Sequence, residues 1–206
     1  MRALPRLLAV TTDAVCDSDG FERRAAAIAG AGAATALVVR APGASTARHA
    51  ALAQRALELA RPLEASVIVH ARPDLAAAIG AQGVQLRRED LPPRDARRVL
   101  RAGWLGVSVH GREEAVAAID EGADYLLAGN LFETTSHPGR PARGLAWLEE
   151  LCTLGRPVIA IGGITPERAA AVQRAGAWGA AAISALWDAP DPGAAALAML
   201  LPWSST

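Results

Sequence analysis

The chain has 206 residues, about half of them apolar and few aromatic, and its basic and acidic side chains balance at 21 each. That length suits one domain with a sizeable core, and the neutral charge leaves no basic footprint for a nucleic acid. No apolar run is long enough for a bilayer span and the first ten residues do not read as a signal peptide, so a cytoplasmic protein with no membrane partner is expected.

In chain order, short apolar runs alternate with alanine-rich amphipathic runs from one end to the other. A strand at 7–11 precedes a helix at 21–29, and the pattern repeats as 36–40 with 46–61, 66–70 with 74–81, and 83–86 with 93–102. It continues as 105–109 with 113–121, 125–128 with 145–154, 158–161 with 166–175, and 180–183 with 193–200. Short apolar strands of this kind are buried on both faces, as in parallel sheets. Gly122, Gly155 and Gly176 follow helical runs, where a left-handed residue closes the helix. Thr165-Pro166 reads as an N-cap followed by proline at the first helical position. Eight β and eight α units without a composition break predict a closed (β/α)8 barrel, one domain spanning 1–206. A doubly wound open sheet is the alternative, but Thr11-Thr12-Asp13 stands where its glycine-rich turn would be.

In a barrel the chemistry sits on the loops that follow the strands. Gly162 and Gly163 after the seventh strand let the backbone approach an anion. With the N–H groups near Ser184 they predict a phosphate cradle; a merely tight turn is the alternative. The long loop after the sixth strand carries Glu133, three consecutive hydroxyls at Thr134, Thr135 and Ser136, then His137. These groups can bond phosphate or move a proton. His70 and His110 fall at strand ends as candidate acids or bases, beside Ser108. Arg40 ends the second strand without an acidic neighbour, which suggests an anion. His49 is expected on the surface of its helix, and 87–90 as a solvated charged loop. Cys16 and Cys152 lie far apart, have no metal-ligand spacing and read as buried small hydrophobes. All basic residues of the Lys/Arg class are arginine, which excludes lysine Schiff bases and a P-loop lysine.

Several segments resemble the thiamine phosphate synthase/TenI family of barrels. They are Gly106-Val107-Ser108-Val109-His110, Gly122-Ala123-Asp124-Tyr125-Leu126, Phe132-Glu133-Thr134, and 157–165 with its Ala160-Ile161-Gly162-Gly163-Ile164-Thr165 core. The resemblance covers nearly the whole chain. Phe132-Glu133-Thr134, with Arg143-Gly144 further on, looks more like the TenI branch. It implies a thiazole phosphate held at Gly163, Ile183 and Ser184, with Thr134 and Ser136 nearby, and a homodimer. The synthase branch joins a pyrimidine pyrophosphate to a thiazole phosphate with magnesium; the TenI branch isomerises a carboxythiazole phosphate by proton transfer. The synthase pattern Gln-Leu-Arg-Glu-Lys is here Val38-Val39-Arg40-Ala41-Pro42, and its Asn-Asp pair is His70-Ala71. Asp90 alone matches a magnesium ligand, so no cofactor is expected outside the synthase alternative. The TenI proton-shuttling histidine is here Asn130, and a substitute would come from His70, His110, His137 or Glu133. The expected function is therefore TenI-like, metal-free proton transfer on a thiazole phosphate. Rivals are the synthase, a non-catalytic barrel that binds a phosphorylated ligand, and another isomerase or epimerase of sugar phosphates.

Overall fold

The computed structural model describes residues 3–134 and 141–204. Eight parallel strands close into a barrel in sequential order, β1 pairing with both β2 and β8. They are β1 (Leu7–Val10), β2 (Thr35–Val39), β3 (Ser66–His70), β4 (Gly83–Leu86), β5 (Trp104–Val109), β6 (Tyr125–Ala128), β7 (Val158–Ile161) and β8 (Gly179–Ala182). The helices are α1 (Asp13–Cys16), α2 (Phe21–Ala29), α3 (Thr46–Ala60), α4 (Pro73–Ile79), α5 (Pro93–Leu100), α6 (Arg112–Asp120), α7 (Gly144–Cys152), α8 (Pro166–Arg174), α9 (Ser184–Trp187) and α10 (Pro192–Leu200). The expected barrel is the observed one. The sequence reading missed α1 and α9, two four-residue helices too short to show a periodic pattern.

Strand periodicity sorts the core into two layers. Leu7 and Ala9 face the helices, whereas Leu8 and Val10 face the barrel axis with Ala36, Val38, Ile68 and Leu127. Two large rings, Trp104 and Tyr125, enter the axis, Gly106 makes room for the second, and Gly83 lets β4 lie close to the β5 backbone. A Cβ on Gly83 would lie 2.7 Å from the Trp104 carbonyl oxygen. The same parity carries function upward. Residues at the carboxyl ends in register with Val38 and Ile68, namely Arg40 and His70, reach the mouth of the barrel.

Outside the axis, small residues let helices approach the sheet. Ala25 and Ala29 on α2, Ala53 and Ala56 on α3, and Ala169 on α8 are fully buried. Gly122, Gly155 and Gly176 all have positive φ, as their positions after α6, α7 and α8 require. Thr165 sits at the N-cap of α8 in an extended conformation but makes no capping hydrogen bond. Two readings are corrected. His49 is buried rather than exposed, because its Nε2 lies 3.0 Å from the Val39 carbonyl oxygen. Cys152 is only half-buried, while Cys16 is buried as expected. None of the described helices is long and apolar enough to cross a membrane.

Candidate functional site

A cavity of about 670 Å³ opens at the carboxyl ends of the strands. Its floor is the top layer of the barrel axis, including Val10, Val38 and Leu127, so it is apolar at the bottom. Polar groups stand around this floor on two sides.

On the β7–β8 side, Gly162, Gly163, Ile183 and Ser184 line the cavity together. Gly162 and Gly163 have φ of +104° and +62°. Their missing Cβ atoms serve the chain itself: at Gly162 one would meet Asn130 Cβ at 2.6 Å, and at Gly163 the Glu133 carbonyl oxygen at 2.4 Å. The loop after β6 is thus laid directly against the loop after β7. Leu131 and Phe132 donate their N–H groups to Ile161 O and Gly162 O at 2.9 and 3.0 Å. Downstream, Arg143 N–H donates to Asn130 O at 3.2 Å, closing the base of this loop. Asn130 and Thr134 consequently line the cavity. Arg168 adds a brace from α8. Its Nη1 donates to Gly163 O at 2.6 Å while the guanidinium lies over the Phe132 ring. The turn from β8 into α9 brings N–H groups of a helix start, which lack intrahelical acceptors, to the same wall.

On the β2–β5 side, Arg40, His70, Ser108 and His110 line the cavity. Arg40 is fixed through its backbone. Thr11 Oγ1 accepts from Arg40 N–H at 2.8 Å and donates to Arg40 O at 2.9 Å. His49 holds the adjacent Val39 carbonyl. No carboxylate of the described residues forms an ion pair with the Arg40 guanidinium. Burial, and then the positive charge of Arg40, pull the His70 imidazole down to a pKa of about 4. His70 is therefore neutral near pH 7 and a weak base. His110 is half-exposed, with Nδ1 3.4 Å from Glu114 Oε2. The other oxygen of Glu114 accepts from Arg88 at 3.0 Å. Gln85 is fully buried beneath the mouth and donates Nε2 to Ser108 Oγ at 3.1 Å. One lone pair of Ser108 is thereby occupied, and its proton has no acceptor among the described residues.

Not all candidates converge. Glu133 is exposed and does not line the cavity. Asp90 lies outside it and is engaged by Arg87, whose backbone N–H and Nη2 donate to its two oxygens at 2.7 and 2.8 Å. Ser136 and His137 lie outside the described residues. Within the expected charged loop, Arg87, Arg88 and Glu89 are exposed, but all three rim the cavity. The sequence reading passed over Thr11, Gln85, Glu114 and Arg168. Gln85 had a signal, a lone polar side chain in the apolar run Gly83–Leu86.

Fold and cavity together define a (β/α)8 barrel with its cavity at the carboxyl ends of the strands. The family model described as thiamine monophosphate synthase matches residues 7–186, and the chain belongs to this family. A thiamine-phosphate synthase from Thermus thermophilus is 46% identical over 153 residues, covering 72% of this chain and 73% of the relative. One from Chloroflexus aurantiacus is 38% identical over 193 residues, covering 92% and 88%. A solved structure, thiamine phosphate pyrophosphorylase from Pyrococcus furiosus, superposes with a TM-score of 0.85 at 32% identity over 97% and 96% of the two chains. These relatives carry synthase names, and nothing among them singles out the TenI branch.

The synthase branch is expected to use magnesium, which takes one or two carboxylates together with substrate phosphates and water. The residues here do not fit that ion. The end of β3 offers His70 and Ala71, and both oxygens of Asp90 are held by Arg87. Glu89 lies 3.2 Å from the same guanidinium. The residues 135–140 contain no carboxylate.

Proposed function

We propose that the chain is a transferase of thiamine biosynthesis, joining a pyrimidine pyrophosphate to a thiazole phosphate with loss of pyrophosphate. The observation that carries this reading is the match to relatives named thiamine-phosphate synthase over most of the chain. The cavity supports it chemically, with two polar sides separated by an apolar floor. On the β7–β8 side, Gly163, Ile183 and Ser184 would hold the thiazole phosphate through backbone N–H groups and a hydroxyl. On the opposite side, Arg40 would meet the diphosphate. Ser108, its lone pair engaged by Gln85, would donate to an acceptor on the ring between them. Bond breaking at the diphosphate needs its developing charge neutralised by fixed positive groups.

The second reading is TenI-type isomerisation, and one observation favours it. His110, with Nδ1 3.4 Å from Glu114 Oε2, lines the cavity and would be the proton-transfer group. A product assay separates the two. The purified protein is incubated with pyrimidine pyrophosphate and thiazole phosphate, and in parallel with carboxythiazole phosphate alone. Thiamine phosphate in the first reaction is the expected result. Tautomer conversion in the second without coupling in the first would replace the proposal by the TenI reading.

A further inference from the structure

The cavity wall between β2 and β4 carries charges of both signs, unevenly paired. Three arginines stand there, Arg40, Arg87 and Arg88. Arg87 is taken up by Asp90 and Glu89, and Arg88 by Glu114. Arg40 is left as the cation of that wall without a carboxylate among the described residues. It is half-buried, and its backbone is clamped by Thr11 on both N–H and C=O. A guanidinium without a direct carboxylate partner, held in a partly buried cavity, is a site for an anion. The acidic side chains that could place a divalent cation in front of it are turned to other arginines.

We propose that this wall takes a phosphate or diphosphate ester directly on the Arg40 guanidinium, with no divalent cation between protein and ligand. The ligand identity rests on the synthase reading above; the absence of a metal requirement rests on the wall itself. Magnesium in solution binds the same phosphate oxygens that Arg40 would bind. It competes with the arginine here, whereas in a site built on carboxylates it bridges protein and ligand.

The test is calorimetric titration of the full chain with inorganic pyrophosphate, once with EDTA and once with excess magnesium. Binding in EDTA at least as tight as in magnesium is the expected result. Arg40→Gln weakens it roughly 10- to 100-fold, the loss of a charge-assisted pair, and Arg40→Lys retains part of it. Saturable binding only with magnesium overturns the proposal, as does no binding in either buffer or an Arg40→Gln protein with unchanged affinity. The magnesium comparison uses the wild-type chain, so it stands even if a variant does not fold. Running the coupling assay beside it separates the two proposals. Arg40-dependent binding in EDTA without thiamine phosphate formation defeats the synthase reading and leaves this one; coupling that requires magnesium does the reverse.

Discussion

Arg40 and His70 share one wall of the cavity, and the charge of the first helps keep the second neutral. Burial is the larger cause, so His70 takes a proton near pH 4, against about 6.5 for an ordinary histidine. Between those values the unfolded chain binds the proton and the folded chain does not. Stability attributable to His70 is therefore complete above pH 6.5 and is lost as the pH falls towards 4, by on the order of 2–3 kcal/mol. Urea melts across that window should show a steeper loss for the wild type than for His70→Gln; parallel curves would contradict the assignment. A second residue-scale prediction concerns Tyr125. Its hydroxyl and Gln85 Oε1 are buried without a hydrogen-bond partner among the described residues. Removing an unsatisfied buried group is not destabilising, so Tyr125→Phe should leave the melting temperature unchanged or raise it. A marked drop would mean that a buried water satisfies the phenol. The neighbouring glycine cannot change. A Cβ on Gly106 would lie 2.1 Å from Tyr125 Cζ. Gly106→Ala should cost roughly 1–3 kcal/mol of overpacking in the same melts.

At the scale of elements, the end of β2 is a clamp built from other elements. Thr11 follows β1 and His49 belongs to α3, and both act on the backbone around Arg40. Thr11→Val removes a donor and an acceptor at once, leaves the Arg40 N–H and C=O without this partner, and should cost about 1–3 kcal/mol. It should also weaken pyrophosphate binding, and Thr11→Ser should restore both. Valine binding pyrophosphate as well as serine would show that the clamp does not position Arg40. On the opposite wall, Ser184→Glu sets a carboxylate at the start of α9. Like charge should abolish thiazole phosphate binding in a titration; undiminished affinity would remove the phosphate from that wall. The strands that carry these walls were legible in the sequence because each is a short apolar run between glycine-bearing helix ends. Their position at strand carboxyl ends then pointed Arg40, His70 and Ser108 to the mouth, where all three line the cavity. The clamp was not legible. His49 looks like any helical surface residue until α3 is packed on β2, and Thr11 joins Arg40 across 29 residues. Glycines 162 and 163 were read for a ligand, but the space they leave is filled first by Asn130 and Glu133 of the β6 loop.

Across the whole molecule, the barrel turns eight sequence-distant strand ends into a ring, and the cavity is the top of that ring. Fold and family follow from repeated βα units and from segments such as 122–126 and 157–165. The branch of the family does not follow from them, because Phe132-Glu133-Thr134 pointed to TenI while the relatives at 38–46% identity are named synthases. The distinction depends on a few side chains around one cavity, not on the repeat that builds it. Under the proposed function, one cavity would hold two anions on opposite walls over an apolar floor. The most direct test is a titration of thiazole phosphate into protein already saturated with pyrophosphate, compared with the same titration into free protein. Two walls predict that thiazole phosphate still binds, with one site per chain and an affinity within about tenfold of its value alone. Mutual exclusion, with pyrophosphate displacing thiazole phosphate from a common site, would contradict it.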